Sequence, residues 1–293
     1  YEPAREIPAL GKYQVVVCGG GPAGFAAAVA AKRNGASVLL VEGQGQLGGM
    51  GTSGLVSHWL GGRSNDCRGW VVGGIFKELS EKAVARGVAA LPEPETDGEL
   101  SPRGWQRRGQ LVAGVPFDAF GMAALLDETA ETVGIETLLC TRAVDAVIRE
   151  RSITHVIIHN KSGFQAVAAR TVIDATGDAD VAALSSCPTV LGREEDRLMT
   201  PVTLQIHMDH IDADALAEYA NAHGKGGYRW LDEIQELIRQ GEWPFAYDRL
   251  ISVQLTEKDT FMINTSRITG IDGTDGASIS RTMVQGRRES LQL

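Results

Sequence analysis

Six residues, 19–24 (GGGPAG), stand between an apolar run, 13–18 (YQVVVC), and an alanine-rich segment with helical spacing that ends before Gly35. Glycine at 19 permits a tight turn. Glycine at 21 lets a pyrophosphate come close to the main chain, and glycine at 24 lets the helix pack hard against the strand. The first turn of the helix, from Pro22 and Ala23, presents N–H groups without intrahelical partners and a partial positive charge to an anion. That dipole contributes ~0.3–1 kcal/mol at an exposed site. Glu42 closes the next apolar run, 37–42 (SVLLVE). Its distance from the loop is about that at which an acid accepts hydrogen bonds from both ribose hydroxyls and repels a 2′-phosphate. Together the loop and the acid imply a site for the ADP half of a dinucleotide.

The residues just after Glu42 distinguish two dinucleotides. A nicotinamide-binding domain would continue directly with helix and strand. Here residues 46–54 read QLGGMGTSG, a loop anchored by Leu47 and Met50 whose main chain at Gly48, Gly49 and Thr52 could lie along a longer ligand. That favours FAD over NAD. A second turn, Ala175-Thr176-Gly177-Asp178, ends a later apolar strand, and ligands of parallel sheets sit at the carboxyl ends of the strands. Taken by itself this turn is as well explained by structure as by binding.

No catalytic residue is identified. His58 stands shortly after the glycine loop, as a polar residue near a substrate or as a point of covalent flavin attachment. His207 and His210 have no evident third ligand, so no metal is expected. No G-x-S-x-G nucleophile motif occurs. Trp105-Gln106-Arg107-Arg108 reads as a solvated loop.

The elements that must hold these residues are set by hydrophobic period. Strand 13–18, helix 22–34 and strand 37–42 make a β-α-β unit. Helices are expected over 75–86 and over 117–133, the latter with Asp118 as N-cap, and a third parallel strand over 135–140. Three short alternating runs, 143–150, 153–160 and 164–169, predict an antiparallel meander before the strand that opens 171–178. Beyond it, strands over 200–208 and 250–256 and helices over 212–222 and 229–240 lack the β-α-β rhythm. The expected fold is α/β: a Rossmann-like FAD-binding domain with a parallel sheet and a β-meander, plus a smaller mixed α+β substrate domain. Its expected limits are 1–75 and 117–187 for the cofactor domain, with 76–116 an excursion, 188–265 for the substrate domain, and 266–293 for the start of a return to the first.

A net charge of −9 with no Lys/Arg run argues against nucleic acid and anionic membranes as partners. The uncharged stretch 13–31 has the length of a membrane span, but the glycine turn in its middle breaks it. Four widely spaced cysteines without C-x-x-C suggest a reducing, cytoplasmic setting, with Cys18 and Cys140 read as buried thiols.

The run 13–56, YQVVVCGGGPAGFAAAVAAKRNGASVLLVEGQGQLGGMGTSGLV, resembles the start of FAD-dependent oxidoreductases with the glutathione-reductase-type FAD fold. The likeness continues through VIDATGDADVAAL (172–184), LMTPVTLQI (198–206) and, weakly, INTSRITGIDGTD (263–275). The resemblance implies FAD contacts from Gly19, Gly21, Ala23, Gly24, Glu42, Gly48, Gly49, Thr52, the main chain near Val144, and Ala175 to Asp178. It implies a small-molecule substrate giving a hydride to flavin N5. It also implies a further C-terminal segment closing over the flavin, supplied by more of the same chain or by a second chain. Two other readings remain open at this point: an NAD-binding dehydrogenase, and a non-catalytic dinucleotide-binding subunit or fragment.

Overall fold

The computed structural model describes residues 6–64, 67–91, 114–223 and 230–293. The solvated-loop reading of 105–108 and most of the expected 76–116 excursion lie outside these residues. Two compact units divide the chain. One runs to Ser53 and resumes over Ala123–Val190; the other comprises Gly54–Met122 and Leu191–Leu293.

The elements of the chain, in order, begin with β1 (Ala9–Cys18), α1 (Pro22–Arg33), β2 (Val38–Val41) and a single 3-10 turn at Gly49–Gly51. Next come β3 (His58–Trp59), α2 (Gly74–Ala85), β4 (Val115–Pro116), α3 (Ala119–Val133) and β5 (Glu136–Leu138). The meander is β6 (Arg142–Arg149), β7 (Ser152–Asn160) and β8 (Gly163–Asp174), followed by the short α4 (Asp180–Leu184). The chain ends with β9 (Ile206–Met208), α5 (Ala213–His223), α6 (Leu231–Gln240), β10 (Ser252–Gln254), β11 (Phe261–Ile263) and α7 (Gly276–Gln292).

In the first unit six strands form one sheet in the order β5-β2-β1-β8-β7-β6. β1 pairs in parallel with β2, through Cys18↔Val41, and with β8, through Cys18↔Asp174. β2 pairs in parallel with β5, through Val41↔Leu138. The carboxyl ends of four strands therefore share one edge. Val16, Val17, Leu39 and Leu40 are fully enclosed, as expected of strands covered on both faces. α1 starts at Pro22, which fixes φ and has no N–H to leave unpaired, and stops at Gly35 with φ +85°. Its buried side, Gly24, Phe25, Ala28 and Val29, follows helical spacing. Burying Phe25 contributes about 1.5–3 kcal/mol.

The meander is present, with one difference. FQAVAA and TVID are not two strands but the single β8, whose first half pairs antiparallel with β7 while the strand also runs parallel to β1 from Ala9 onward. No turn residue separates the two halves, so the ladder carries straight through. β1 correspondingly starts at Ala9, ahead of the apolar run.

The second unit has an antiparallel sheet, β10-β11-β9, with Ser252↔Ile263 and Phe261↔Met208 in register. Residues 54–75 belong here rather than with the cofactor unit, because β3 pairs with β4 and the Leu55 carbonyl accepts a bond from His207 Nε2, 3.0 Å. Residues 276–292 form α7, capped by the Asp275 carboxylate on the amides of Ala277 and Ser278. A side chain at Gly286 would press on Leu204 and Ile268, so α7 packs within this same unit.

The tightest point of the first unit is the start of α1. A methyl group at Gly24 would collide with the Gly19 carbonyl oxygen and lie 3.0 Å from Ala175 Cβ. Gly24→Ala is therefore expected to destabilise the protein by about 3 kcal/mol or more, since backbone cannot yield as a side chain does. Urea or thermal unfolding checks this; a midpoint equal to wild type would contradict the packing described.

Candidate cofactor site

The glycine loop joins β1 to α1 at the sheet's carboxyl edge. Gly19 has φ +106° and lies so close to Ala175 that a side chain would strike the Ala175 carbonyl. Its amide donates to the Val41 carbonyl, 2.7 Å, and the Ala175 amide donates to the Cys18 carbonyl, 2.8 Å. The loop is thus tied to both neighbouring strands. Gly21 is different. It has φ −66° and ψ −177°, open to any residue, and a Cβ there would meet nothing nearer than Gly49 Cα at 3.8 Å. The fold does not need glycine at 21, and the main chain there is left open for a ligand to approach.

The first helical bond of α1 runs from the Phe25 amide to the Gly21 carbonyl, 2.9 Å, which leaves the amides of Ala23 and Gly24 ahead of it. Gly21 supplies no side-chain cap and the first turn carries no acid. This is a cradle of amides with the positive end of a helix dipole and room above it. It fits the pyrophosphate of a dinucleotide.

Glu42 is only 7 % exposed, at the end of β2. Its Oε2 accepts from the Gly20 amide and its Oε1 from the Gln44 amide, both at 2.6 Å. The carboxylate therefore holds the glycine loop in place and retains lone pairs for a ribose. The second glycine loop leans on the first: the Gly48 amide donates to the Gly20 carbonyl, 2.9 Å, and a side chain at Gly49 would come within 2.8 Å of Gly21 Cα. Thr52 is buried, and its hydroxyl donates to the Leu47 carbonyl at 2.6 Å. Its hydroxyl shapes the loop, and what remains for a ligand there is main chain.

The 175–178 turn is organised by a residue that sequence reasoning passed over. Asp174 Oδ1 accepts from the Thr176 amide, 3.1 Å, and hydroxyl, 2.7 Å, while Oδ2 accepts from the Ala182 amide, 2.9 Å. The Thr176 hydroxyl is in turn reached by the Asp180 amide, 3.0 Å. An aspartate ending an otherwise apolar strand was the available signal. Gly177, φ +93°, and Asp178 are exposed, with nothing within 4 Å of a Cβ at Gly177. Burial and the neighbouring Asp178 and Asp174 raise the Asp180 carboxyl above its usual range, with Arg142 opposing. Val144 lies in β6 where the register on β7 shifts between Ala143 and Asp145. A bulge of this kind takes main-chain groups out of the ladder.

The profile of the family described as FAD dependent oxidoreductase matches residues 14–293. A probable fumarate reductase, Ifc3, of Shewanella frigidimarina is 27 % identical over 191 residues, 56 % of this chain and 32 % of that protein. Digeranylgeranylglycerophospholipid reductase 2 of Methanothermobacter thermautotrophicus is 26 % identical over 223 residues, 75 % of this chain and 54 % of that protein. The chain thus spans about a third of one curated relative and about half of the other. The solved structure of L-proline dehydrogenase from P. horikoshii superposes with a TM-score of 0.53 at 14 % identity, over 89 % of this chain and 71 % of that one, a likeness of fold alone.

The remaining candidates fall elsewhere. Cys18 is buried, and burial together with Asp174 pushes its thiol up to about 12. Cys140 is exposed, not buried as its apolar run suggested, because β5 ends at Leu138 and Cys140 sits in the following turn with φ +51°. His210 is exposed and paired with Asp209, while His207 is bonded to the Leu55 carbonyl, so the two histidines face different partners. In the second unit the buried Gln205 Oε1 and Ser266 Oγ have no hydrogen-bond partner among the described residues. Nothing in their sequence surroundings marked them.

His58 belongs to the second unit, enclosed in β3 against Gly114, and burial pulls its imidazole down to about 4. The unfolded chain takes up this proton near pH 6.5 and the folded chain only near pH 4. Stability is therefore full above pH 6.5 and falls as pH drops toward 4, by on the order of 3 kcal/mol from this group. His58→Gln should flatten that part of the profile. Denaturation midpoints at a series of pH values between 7.5 and 4.5 check it: identical slopes for wild type and variant would remove His58 as the cause.

Proposed function

We propose that this chain, which belongs to the FAD dependent oxidoreductase family, holds the ADP part of its cofactor, FAD, on the edge formed by Gly19, Gly21, Pro22, Ala23, Gly24 and Glu42. The observation that carries the reading is Gly21, a glycine that the fold does not require, seated over the open end of α1. When bound, FAD supplies the flavin N5 that takes a hydride from a substrate C–H bond. The residues of this chain bind and orient. The amides of Ala23 and Gly24 receive the pyrophosphate, and Glu42 accepts from the ribose while keeping Gly20 in place. Gly48 and Gly49 lay main chain along the cofactor, and the turn from Ala175 to Gly177 with Asp178 borders the same edge. Val144 offers main chain at the bulge of β6. The strand order β5-β2-β1-β8 with its meander supports the glutathione-reductase-type arrangement.

The NAD reading required a helix directly after Glu42. The chain there instead bends through residues 43–48 into a 3-10 turn. The reaction we infer is oxidation or reduction of a small organic molecule. The two reductase relatives act on chemically unlike compounds by their names, so neither passes its substrate to this chain.

The same geometry separates binding from folding. Gly21→Ala is expected to keep its unfolding midpoint, within about 0.5 kcal/mol, while weakening FAD at least ten-fold. Glu42→Ala should weaken FAD by about 1–3 kcal/mol through lost charge-assisted bonds. Titration followed by flavin fluorescence measures both. Wild-type affinity in Gly21→Ala would remove the cradle assignment, and wild-type affinity in Glu42→Ala the ribose assignment.

A further inference from the structure

The second unit holds two buried polar atoms that the cofactor edge does not use. Gln205 is 7 % exposed and Ser266 1 %, and neither Gln205 Oε1 nor Ser266 Oγ has a hydrogen-bond partner among the described residues. Both atoms are closed to solvent. A polar atom in that state carries the whole cost of leaving water with no bond in return. Folded chains rarely keep one without a reason.

The two residues stand at the same fault in the ladder between β9 and β11. Ile206 pairs with Ile263, and the next bridge joins Val202 to Ile268. Residues 203–205 therefore stand against the longer segment 264–267, which makes a β-bulge. Neighbouring groups at the bulge are satisfied. The Asn264 amide donates to the Ile251 carbonyl, 2.9 Å, and the Ile251 amide donates to Thr265 Oγ1, 3.1 Å. The Thr203 hydroxyl donates to the Ser266 carbonyl. What is left over is an acceptor on Gln205 and a hydroxyl on Ser266. Arg267 is the one charged residue among 203–205 and 264–267. It is exposed, with its guanidinium 5.2 Å from the centre of the Tyr247 ring. Gln205 lies two residues before His207, so the two share a face of the strand. Across the sheet that face carries Met262 and Val253, both buried.

These requirements select a ligand group. A carboxylate has no proton to give Gln205 Oε1. An ammonium buried here would need an acid beside it, and the bulge has none. A neutral hydroxyl donates to Gln205 Oε1 and accepts from Ser266 Oγ with a single atom. We propose that the bulge is a binding subsite for the neutral hydroxyl of a small, largely apolar alcohol, admitted as the Gln205 side chain turns. That this alcohol is a substrate rests on the oxidoreductase reading above; that it binds at the bulge does not.

The experiment uses the whole chain with FAD added, and three probes that share one ring: cyclohexanol, cyclohexylamine and cyclohexanecarboxylate. Without a probe, Ser266→Ala and Gln205→Met are expected to unfold at or above the wild-type midpoint, since each removes an orphaned atom. A fall of about 2 °C or more in either would mean that an enclosed water or another partner already satisfies that atom, and would overturn the subsite. Cyclohexanol is expected to raise the wild-type midpoint by about 2 °C or more, with no rise from the amine or the carboxylate. Both variants are expected to lose that rise. Equal shifts from all three probes, no shift in the wild type, or a cyclohexanol shift that survives in either variant would each overturn the proposal. Flavin fluorescence follows FAD binding separately. A wild-type chain that takes no FAD would remove the cofactor reading, whereas a FAD-loaded chain indifferent to cyclohexanol removes this inference and leaves the cofactor reading standing.

Discussion

The cofactor edge depends on how closely the main chain packs where α1 leaves the sheet. The Gly19 carbonyl, Gly24 Cα and the Ala175 main chain occupy one small volume, with no room for a Cβ at either glycine. That closeness brings the N-terminus of α1 to the ends of β1 and β8 together, and it is why the turn at 175–178 borders the glycine loop. Sheet hydrogen bonds continue past the strand ends, from Gly19 to Val41 and from Ala175 to Cys18, and keep the two turns in step. A looser contact would leave the helix amides pointing at bulk water, where their dipole is worth little.

Glu42 shows how one group serves fold and site together. Its carboxylate is almost wholly enclosed, and a buried charge is tolerated only when hydrogen-bonded. The amides of Gly20 and Gln44 satisfy it. The same two bonds fix the conformation of the glycine loop and start the turn that carries the chain into residues 46–52. Removing the acid therefore leaves two amides to find other partners besides depriving a ribose of its acceptor. The glycines divide in the same manner. Gly19, Gly24 and Gly48 are held by sterics or by positive φ, whereas Gly21 is held by neither.

The parts of the fold legible in the sequence were those where local pattern and tertiary structure agree. The β-α-β unit could be read because a near-continuous apolar run, a proline at the helix start and a glycine at its stop all say the same thing as the sheet. The single strand β8 was missed because its two halves differ in surroundings: the first half pairs with β7 and the second does not, so the alternation of side chains changes along an unbroken ladder. Unit limits were harder still. The link from β3 to β4, and that from Leu55 to His207, join residues far apart in sequence, and no local signal encodes such pairings. In the site, the glycines and Glu42 were visible as a motif. Asp174 was not, because its role is to order the turn that follows it, through the Thr176 and Ala182 amides, and no binding motif marks such a carboxylate.

An acidic chain that binds a diphosphate needs an explanation, and the geometry gives one. The net charge of −9 spreads over a surface where salt screens beyond about 10 Å. A pyrophosphate placed on the glycine loop would instead meet amides within hydrogen-bond reach, whose partial charges are fixed in direction and cost nothing to reorganise when a ligand arrives. Asp174, Asp178 and Asp180 cluster on the adjoining turn. There Asp174 is hydrogen-bonded by three donors, and Arg142 opposes the acidic neighbours of Asp180. On the proposed placement, a phosphate at this edge would be held by backbone dipoles close at hand rather than by a basic surface. The proposed anion site is therefore read from glycine spacing and has no counterpart in the overall composition.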